Sequence, residues 1–236
     1  MVRESGCGAK SACRCAANVI PDCVTYTTKY STYSEIVLDD TVAGVSRAPL
    51  DTEQVVDAAA ALADEEGLDA VTLTWVARNL GVQQPALYRH VDGIDDLMRL
   101  LGLRGREFLA EQLTDCAVGV AGDDAVHALG VAWRKAAASR PGLYAATDRF
   151  PCAGDAELEL AVERVVEIIA RSLDSYPMSD DERIHAARSL RSAFHGFVHL
   201  EAGDGHPLPL DLDDSFQHLI EFLCAGLHAL SAPPPP

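Results

Sequence analysis

Two short amphipathic helical patterns meet at a glycine within residues 71–91, VTLTWVARNLGVQQPALYRHV. In the first pattern, apolar residues recur at spacings of three and four and therefore share one helical face: Leu73, Val76, Ala77 and Leu80. Thr72 or Thr74 is suited to cap the start of this helix by accepting from open backbone amides. Gly81 supplies the positive φ that ends a helix and turns the chain.

The second pattern begins at Pro85, whose fixed φ and missing N–H suit the first turn of a helix. This helix is expected to bury Leu87 and Val91 and to leave its polar side chains outside. Two such helices joined by a short turn with glycine form a helix-turn-helix, whose second helix lies in the major groove of DNA. The alternative is an ordinary helical hairpin with a polar face.

The exposed residue types fit contact with DNA. Glutamine bonds two edges of adenine, alanine touches the thymine methyl, and arginine or tyrosine reaches phosphate or guanine. Arg47, on the arm before the first helix, adds one more cation. The predicted DNA-binding residues are Arg47, Thr72, Thr74, Arg78, Gln83, Gln84, Pro85, Ala86, Tyr88, Arg89 and His90.

The helix-turn-helix segment and its flanking residues resemble a known protein family. The segment GVQQPALYRHV resembles the recognition segment of TetR-family transcription regulators, and is close to that of the tetracycline repressors themselves. The resemblance extends upstream through VVDAAAALADEEGLDAVTL and downstream through DGIDDLMRLL, and so covers residues 52–113. One departure concerns affinity. The family often places a lysine that grips phosphate at the start of the helix after the recognition segment, and here the chain reads Asp92, Gly93, Ile94, Asp95.

From Asp51 onward the chain has helical periodicity, with no alternating segment long enough for a sheet. A helix with Val126, Leu129 and Trp133 is expected to be capped by Asp123 or Asp124 and to end at Pro141-Gly142. A loop with Tyr144, Phe150, Pro151 and Gly154 should follow, and Ser179 or Asp180 should start a later helix. The fold class predicted is all-α.

The C-terminal part is also similar to TetR-family proteins. The run RSLRSAFHGFVHLEAGDGHPLPLDLDDSFQHLIEFLCAGL resembles a subgroup with an aromatic-His-Gly step, here Phe194, His195 and Gly196. The resemblance then reaches residues 52–230. It implies a three-helix helix-turn-helix DNA-binding domain with its connecting helix at 49–113, and a helical ligand-binding and dimerisation domain at 114–232, with a proline tail at 233–236. It further implies a homodimer paired through its last two long helices.

The first 48 residues are expected to be a mostly disordered extension, or the result of a start codon assigned too far upstream. Four of the seven cysteines lie here, Cys7, Cys13, Cys15 and Cys23, at irregular spacing that matches no paired zinc pattern. The other three, Cys116, Cys152 and Cys224, are interpreted as small core residues.

Four aromatic residues from separate segments are candidates for the wall of a ligand pocket, and equally for the core. Arg191 interrupts an apolar helix, where it could anchor an acidic group of a ligand or form an ion pair at the dimer seam. His195 and His199 are four residues apart, a spacing that fits either a metal site or hydrogen-bonded histidines, and no third ligand has clear spacing. The predicted ligand-binding residues are Trp133, Tyr144, Phe150, Arg191, Phe194 and His195.

Other function classes find little support. The sequence has no Gly-rich phosphate loop, nucleophile elbow or HExxH pattern, so we predict neither an enzyme nor a bound cofactor or metal. No apolar run approaches the roughly 18 residues of a membrane span, and we expect a cytoplasmic protein. The prediction is a dimeric repressor that binds a palindromic operator and is released by a small, mostly apolar effector. The alternative is a TetR-like protein acting through a protein partner, which its net charge of −17 also fits.

Overall fold

The computed structural model describes residues 49–231, all of them within one compact unit. Two 3-10 helices, Leu68–Ala70 and Gln84–Arg89, interrupt the α-helices, and the described residues contain no strand. The predicted all-α class is therefore confirmed. The α-helices are α1 (Thr52–Glu66), α2 (Leu73–Leu80), α3 (Ile94–Ala117), α4 (Asp123–Ser139), α5 (Pro141–Ala146), α6 (Ala156–Ser172), α7 (Asp180–Ala202) and α8 (Leu212–Ser231).

Capping side chains set the start of four helices, and at α6 the cap is Asp155, which accepts from the amides of Glu157 and Leu158. Asp51 and Gln54 form a reciprocal capping box at α1, and Ser179 and Glu182 form another at α7, as predicted for Ser179. The hydroxyl of Thr72 accepts from the amide of Trp75 and so caps α2. The other cap prediction is wrong, because α4 begins after Gly122, at φ 62°, with no side-chain cap.

The helix-turn-helix departs from its prediction at the second element. Gly81 ends α2 in the left-handed conformation with φ 66°, as expected. The following segment, Gln84–Arg89, is a six-residue 3-10 helix rather than an α-helix. Pro85 removes a donor at its start, and the segment closes with a bond from the amide of His90 to the carbonyl of Leu87. The segment is therefore too short for a continuous series of α-helical hydrogen bonds. We call Gln84–Arg89 the recognition segment.

The expected loop after residue 140 contains a helix. Pro141 opens α5 at its first position, so Tyr144 lies on a helix and not in a loop. The turn is tight against α1, because a Cβ at Gly142 would overlap the carbonyl of Ala63. The carboxylate of Asp64 accepts from the amide of Leu143 at 3.0 Å and from the guanidinium of Arg140.

The described residues form two hydrophobic cores. The first lies among the helix-turn-helix elements and includes Leu143 and Ala146 of α5. The second lies between α3, α4, α6, α7 and α8, around Trp133 and Phe194. The long helix α3 contributes to both cores and runs through residue 113, the predicted end of the N-terminal domain. In the described part of the chain, no helix has the combined length and apolar character to cross a membrane.

Candidate DNA-binding surface and ligand cavity

Three polar side chains of the helix-turn-helix form one hydrogen-bonded group. The hydroxyl of Thr74, on α2, donates to Oε1 of Gln84 at 2.9 Å. The Nε2 of Gln84 donates to the phenol oxygen of Tyr88 at 3.2 Å. The amide of Gln84 is thereby held between both elements, and it keeps one N–H and one lone pair for a ligand. Tyr88, 54% exposed, keeps its own O–H for another acceptor.

The structure leaves most of the predicted DNA-binding residues exposed or half-buried. Arg47 lies outside the described residues. Thr72 is exposed, and its hydroxyl is engaged as the cap of α2. Gln84, Ala86 and His90 are half-buried, and the chain around His90 is tied to α1, since the hydroxyl of Thr52 donates to its carbonyl at 3.3 Å. The remaining predicted residues are all exposed: Thr74, Arg78, Gln83, Pro85, Tyr88 and Arg89.

The helix-turn-helix and the start of α3 carry few exposed charged side chains, and these include both arginines and aspartates. Arg78 and Arg89 are exposed, and neither forms an ion pair within residues 49–231. At the start of α3, Asp92 and Asp95 are exposed, in the region where the family resemblance implies a phosphate-binding lysine. The carboxylate of Asp96 accepts from the amide of Asp92 at 2.9 Å and so closes the turn into α3. The turn that follows Arg89 in the chain thus carries carboxylates, which repel phosphate.

Trp75 is a surface residue that the sequence reasoning missed. It is 45% exposed on α2, next to Thr74. The signal was available in the sequence, because Trp75 falls outside the apolar stripe of α2 and yet is the largest side chain in the helix.

A cavity of about 550 Å³ opens between α4, α5 and α7. Its walls are mostly small or apolar, and its polar groups are concentrated at Tyr144, Asp148 and His199. Arg134 and Glu201 also reach it but bind one another, with Nε to Oε2 at 2.9 Å. The lining residues are Arg134, Ala137, Ala138, Pro141, Tyr144, Ala145, Asp148, Val198, His199, Glu201, Ala202 and Gly203.

The six predicted ligand-binding residues are divided among several places. Tyr144 lines the large cavity. Trp133, Arg191 and His195 join Tyr144 around an adjacent cavity of about 30 Å³, the room of roughly one water molecule. Phe194 is 0% exposed and packs between Trp133 and Phe216 in the core, at ring distances of 6.2 Å. The remaining aromatic, Phe150, is half-buried against the core of the helix-turn-helix.

A hydrogen-bonded chain links the core to the large cavity. The indole N–H of Trp133 donates to the Tyr144 oxygen at 2.8 Å, and that oxygen lies 2.8 Å from Nδ1 of His195. Nε2 of His195 lies 3.2 Å from Oδ2 of Asp148. With His195 neutral and protonated on Nε2, every hydrogen in this chain has an acceptor.

Burial and hydrogen bonding shift the acidities of this chain. Burial raises the pKa of the Tyr144 phenol, which stays protonated. Burial also acts to raise the pKa of the Asp148 carboxyl and is the largest single influence. The hydrogen bond from His195, together with the electrostatic influence of His195, His199 and Arg106, outweighs it, so this pKa lies below its usual value. Asp148 therefore carries a full negative charge at neutral pH at the edge of the cavity.

Arg106 is a buried cation beside the small cavity, and the sequence reasoning missed it. Its guanidinium donates to the carbonyls of Gly102, Thr147 and Phe150. Burial lowers its pKa from the usual value. These carbonyls belong to α3 and to the chain after α5, so Arg106 fixes the end of α5 against α3. The alternative of a metal site at His195 and His199 gains no support, since the described residues contain no group of three ligating side chains.

Comparison with known proteins identifies the family to which this chain belongs. Residues 55–101 match the family described as bacterial regulatory proteins, tetR family, and residues 126–223 match the tetracyclin repressor-like C-terminal domain. An uncharacterized HTH-type transcriptional regulator of Mycobacterium tuberculosis, Rv0681, is 35% identical over 76% of this chain and 83% of its own length. The chain belongs to the TetR family of transcriptional regulators. The Bacillus subtilis regulator YobS is 31% identical over 77% of this TetR-family chain and 94% of its own.

Solved structures agree with this assignment. A TetR variant from Acinetobacter baumannii, in complex with minocycline, is 26% identical with a TM-score of 0.60, over 78% of this chain and 99% of that one. The Streptomyces coelicolor regulator SCO7222 shares the fold, with a TM-score of 0.61 at 20% identity, over 78% of this chain and all of the other. The TetR-family protein described here is thus a DNA-binding regulator with a ligand-binding C-terminal domain, in a family of regulators and not of enzymes.

Proposed function

We propose that this TetR-family protein is a repressor that binds a palindromic operator as a homodimer and is released by a small, mostly apolar effector. The observation that carries the proposal is the position of α5. Tyr144 of this helix lines the large cavity, while the adjacent Leu143 is buried in the core of the helix-turn-helix. A ligand in the cavity therefore contacts the same short helix that supports the DNA-binding elements.

Binding of DNA is assigned to the recognition segment and the start of α2. The amide of Gln84 has the donor and acceptor that pair with the major-groove edge of adenine. Tyr88 and Arg89 offer an O–H and a guanidinium to phosphates, and Arg78 adds a second charge. The division at about residue 113 follows from this proposal, with residues 49–113 for DNA and 114–232 for ligand and dimer.

The dimer is assigned to α7 and α8. Phe222 is 78% exposed and Leu230 58% exposed on α8, and Leu200 of α7 is 47% exposed. A single protomer leaves these apolar side chains in water, and a two-fold partner would cover each patch with its own copy. A dimer then presents two recognition segments to two half-sites, which predicts an operator with two-fold symmetry.

Release by an effector requires different affinities in two conformations. A ligand that bound the DNA-competent and DNA-free forms equally would shift nothing. In the structure α5 is joined to α1 through Asp64, which accepts from Leu143 and Arg140, and to α3 through Arg106. A movement of Tyr144 on ligand binding would be transmitted along these contacts to the helix-turn-helix.

A second function is favoured by one observation. The exposed Asp92 and Asp95 lie in the region where the family resemblance implies a phosphate-binding lysine. A TetR-like protein that had lost affinity for DNA and acted through a protein partner would carry such a surface. The two functions make opposite predictions for binding to DNA.

The deciding experiment is electrophoretic mobility of the chain's own upstream intergenic DNA, with and without cell extract. We expect the protein alone to retard this DNA in preference to a shuffled duplex of the same composition. An Arg78→Ala, Arg89→Ala double variant is the matched control and should lose the shift. Absence of any sequence preference with protein alone, together with a shift that needs the extract, would support the protein-partner function instead.

A further inference from the structure

Among the described residues, the large cavity has one carboxylate, Asp148, that forms no ion pair with a lysine or arginine. Glu201 and Arg134 neutralise one another, and Arg134 also binds Asp213 with Nη1 to Oδ1 at 2.7 Å. Asp148 is hydrogen-bonded by the imidazole of His195, which contacts one of its two oxygens, while His199 and Arg106 act on it only at longer range. Among the described residues, no side chain donates to its other oxygen, Oδ1.

The nearby cations do not reach this cavity. Arg106 gives its N–H groups to three backbone carbonyls. Both Arg106 and Arg191 line the small cavity of about 30 Å³ and not the large one. A ligand in the large cavity therefore meets the Asp148 carboxylate before it meets a free guanidinium.

Apart from His199, most of the remaining wall is apolar, and the cavity has the size of a drug-like ligand. Side chains of Ala137, Pro141, Ala145 and Val198 surround a volume of about 550 Å³, within the range of about 300–1,000 Å³ typical of small-molecule sites. The Tyr144 hydroxyl is engaged on both sides, since its oxygen accepts from Trp133 and lies 2.8 Å from Nδ1 of His195. The cavity thus offers a ligand a hydrophobic surface with one anionic acceptor.

We infer that the effector is a cationic amine carried on an apolar body, with its ammonium donating to Oδ1 of Asp148. This inference rests on the proposed function of the cavity as the effector site. An ammonium at this position would form a charge-assisted hydrogen bond with Asp148, and the apolar body would fill the space between α4, α5 and α7. An acid of the same shape would meet repulsion from Asp148.

The test uses three probes with one rigid tricyclic body: dehydroabietylamine, dehydroabietic acid and dehydroabietinol. Isothermal titration calorimetry of the full chain without DNA measures each Kd. We expect the amine to bind at least ten times more tightly than the alcohol, and the acid to bind most weakly. The order of the three affinities reports the charge of the site, because the apolar contribution is common to all.

Two isosteric variants separate Asp148 from the general charge of the wall. Asp148→Asn keeps an oxygen that can accept from His195. It should weaken binding of the amine at least tenfold and leave the Kd of the alcohol unchanged. Glu201→Gln removes the same charge from the same cavity, where Arg134 already neutralises it, and should change amine binding less than threefold. Equal losses in the two variants would overturn the assignment to Asp148.

Further outcomes locate the probe and separate this inference from the proposed function. Ala138→Trp fills the cavity and should abolish binding of the amine, and unchanged binding would overturn the site. Tightest binding by the acid, lost in Arg191→Gln, would overturn the cationic class in favour of an anionic effector at the small cavity. Binding of the amine through Asp148 without release of operator DNA would sustain the ligand class and contradict the proposed repressor mechanism.

Discussion

The amide of Gln84 is held before any DNA is present. Thr74 uses its single hydrogen on Oε1, and Nε2 uses one of its two hydrogens on Tyr88. Thr74 therefore has no hydrogen left for a phosphate, although its residue type predicted that contact. Tyr88 accepts in this group and keeps its own hydrogen, so it remains suited to donate to phosphate. On the basis of this group, we propose base reading for Gln84, support for Thr74 and phosphate binding for Tyr88.

Substitutions in this group should separate base reading from general affinity. Gln84→Ala should relax the preference at one base pair of each half-site, by about 1–3 kcal/mol per bidentate contact. Thr74→Val should act in the same direction but by less, because it frees the amide without removing it. Tyr88→Phe should weaken binding to all sequences alike. Fluorescence anisotropy with the operator and a set of single-base-pair variants measures both effects.

The control is Arg89→Ala, which removes a charge from the same segment without touching the amide group. If Gln84→Ala left the operator preference intact while Arg89→Ala changed it, the base-reading and phosphate-binding residues would be interchanged.

Residue types on the DNA-binding surface could be predicted from the sequence, and their contacts could not. Helical periodicity separates Leu87 from the polar side chains around it, and the buried Leu87 follows that pattern. The hydrogen bond between Thr74 and Gln84 joins residues that are ten positions apart and lie on different elements. It depends on how the turn at Gly81 packs those elements together. The link from Tyr144 to His195 spans 51 residues and has no local signal.

At the scale of elements, α5 shows why sequence reasoning ended a helix and missed the next one. Pro141 and Gly142 are typical of a break, and six residues are too few for a periodic stripe. Proline is also favoured at the first position of a helix, and here that preference applies. The helix is stabilised by packing of Leu143 and Ala146 into the core of the helix-turn-helix, a tertiary effect.

Gly142 tests the close contact between α5 and α1. Gly142→Ala should destabilise the protein by about 1–3 kcal/mol or more, because its Cβ would overlap the carbonyl of Ala63 and force the helices apart. Chemical denaturation followed by circular dichroism measures the free energy of unfolding. Gly203→Ala is the matched control, with its nearest neighbour 3.5 Å from the added carbon. Equal stability of the two variants would show that α5 does not approach α1 so closely.

Across the whole molecule, apolar stripes are readable from the sequence, but the sequence does not show which of them face the inside of one protomer. Phe194 illustrates the difference. Its stripe on α7 also fits a dimer seam, but the structure buries it completely against Trp133 and Phe216. A charge at Phe194 would unfold the protomer and would not report on the dimer. The neighbouring helix α8 provides a better test, because Phe222 is exposed.

Phe222→Asp should convert the dimer to a folded monomer. An aspartate would place an unpaired charge in the interface of each protomer, while the core around Ile220 and Cys224 stays intact. Sedimentation velocity at micromolar concentration measures the change, and circular dichroism verifies that the helices remain. Leu160→Asp, at a similarly exposed position on α6, is the control and should stay dimeric. A wild-type protein that sediments only as a monomer would contradict the dimer itself.

The distribution of charge over the molecule limits how it holds DNA. The chain has a net charge of −17, with 19 lysines and arginines against 36 acids. Arg78 and Arg89 face no acid within residues 70–91, so the local balance there is positive. Long-range attraction to phosphate is therefore weak, and affinity has to come from contacts at the surface itself, mainly neutral donors.

Binding to DNA should consequently depend only weakly on salt. Each neutralised phosphate contributes about −0.9 to the slope of log K against log salt concentration, so two or three arginines per protomer predict about −4 to −6 for a dimer. Arg89→Ala should make the slope shallower by about 2 per dimer, whereas Tyr88→Phe should lower the affinity and leave the slope unchanged. Anisotropy titrations of the operator at several salt concentrations give these slopes. A wild-type slope near about −10 would mean that many more cations contact the phosphates, and neutral donors would then not be the main source of affinity.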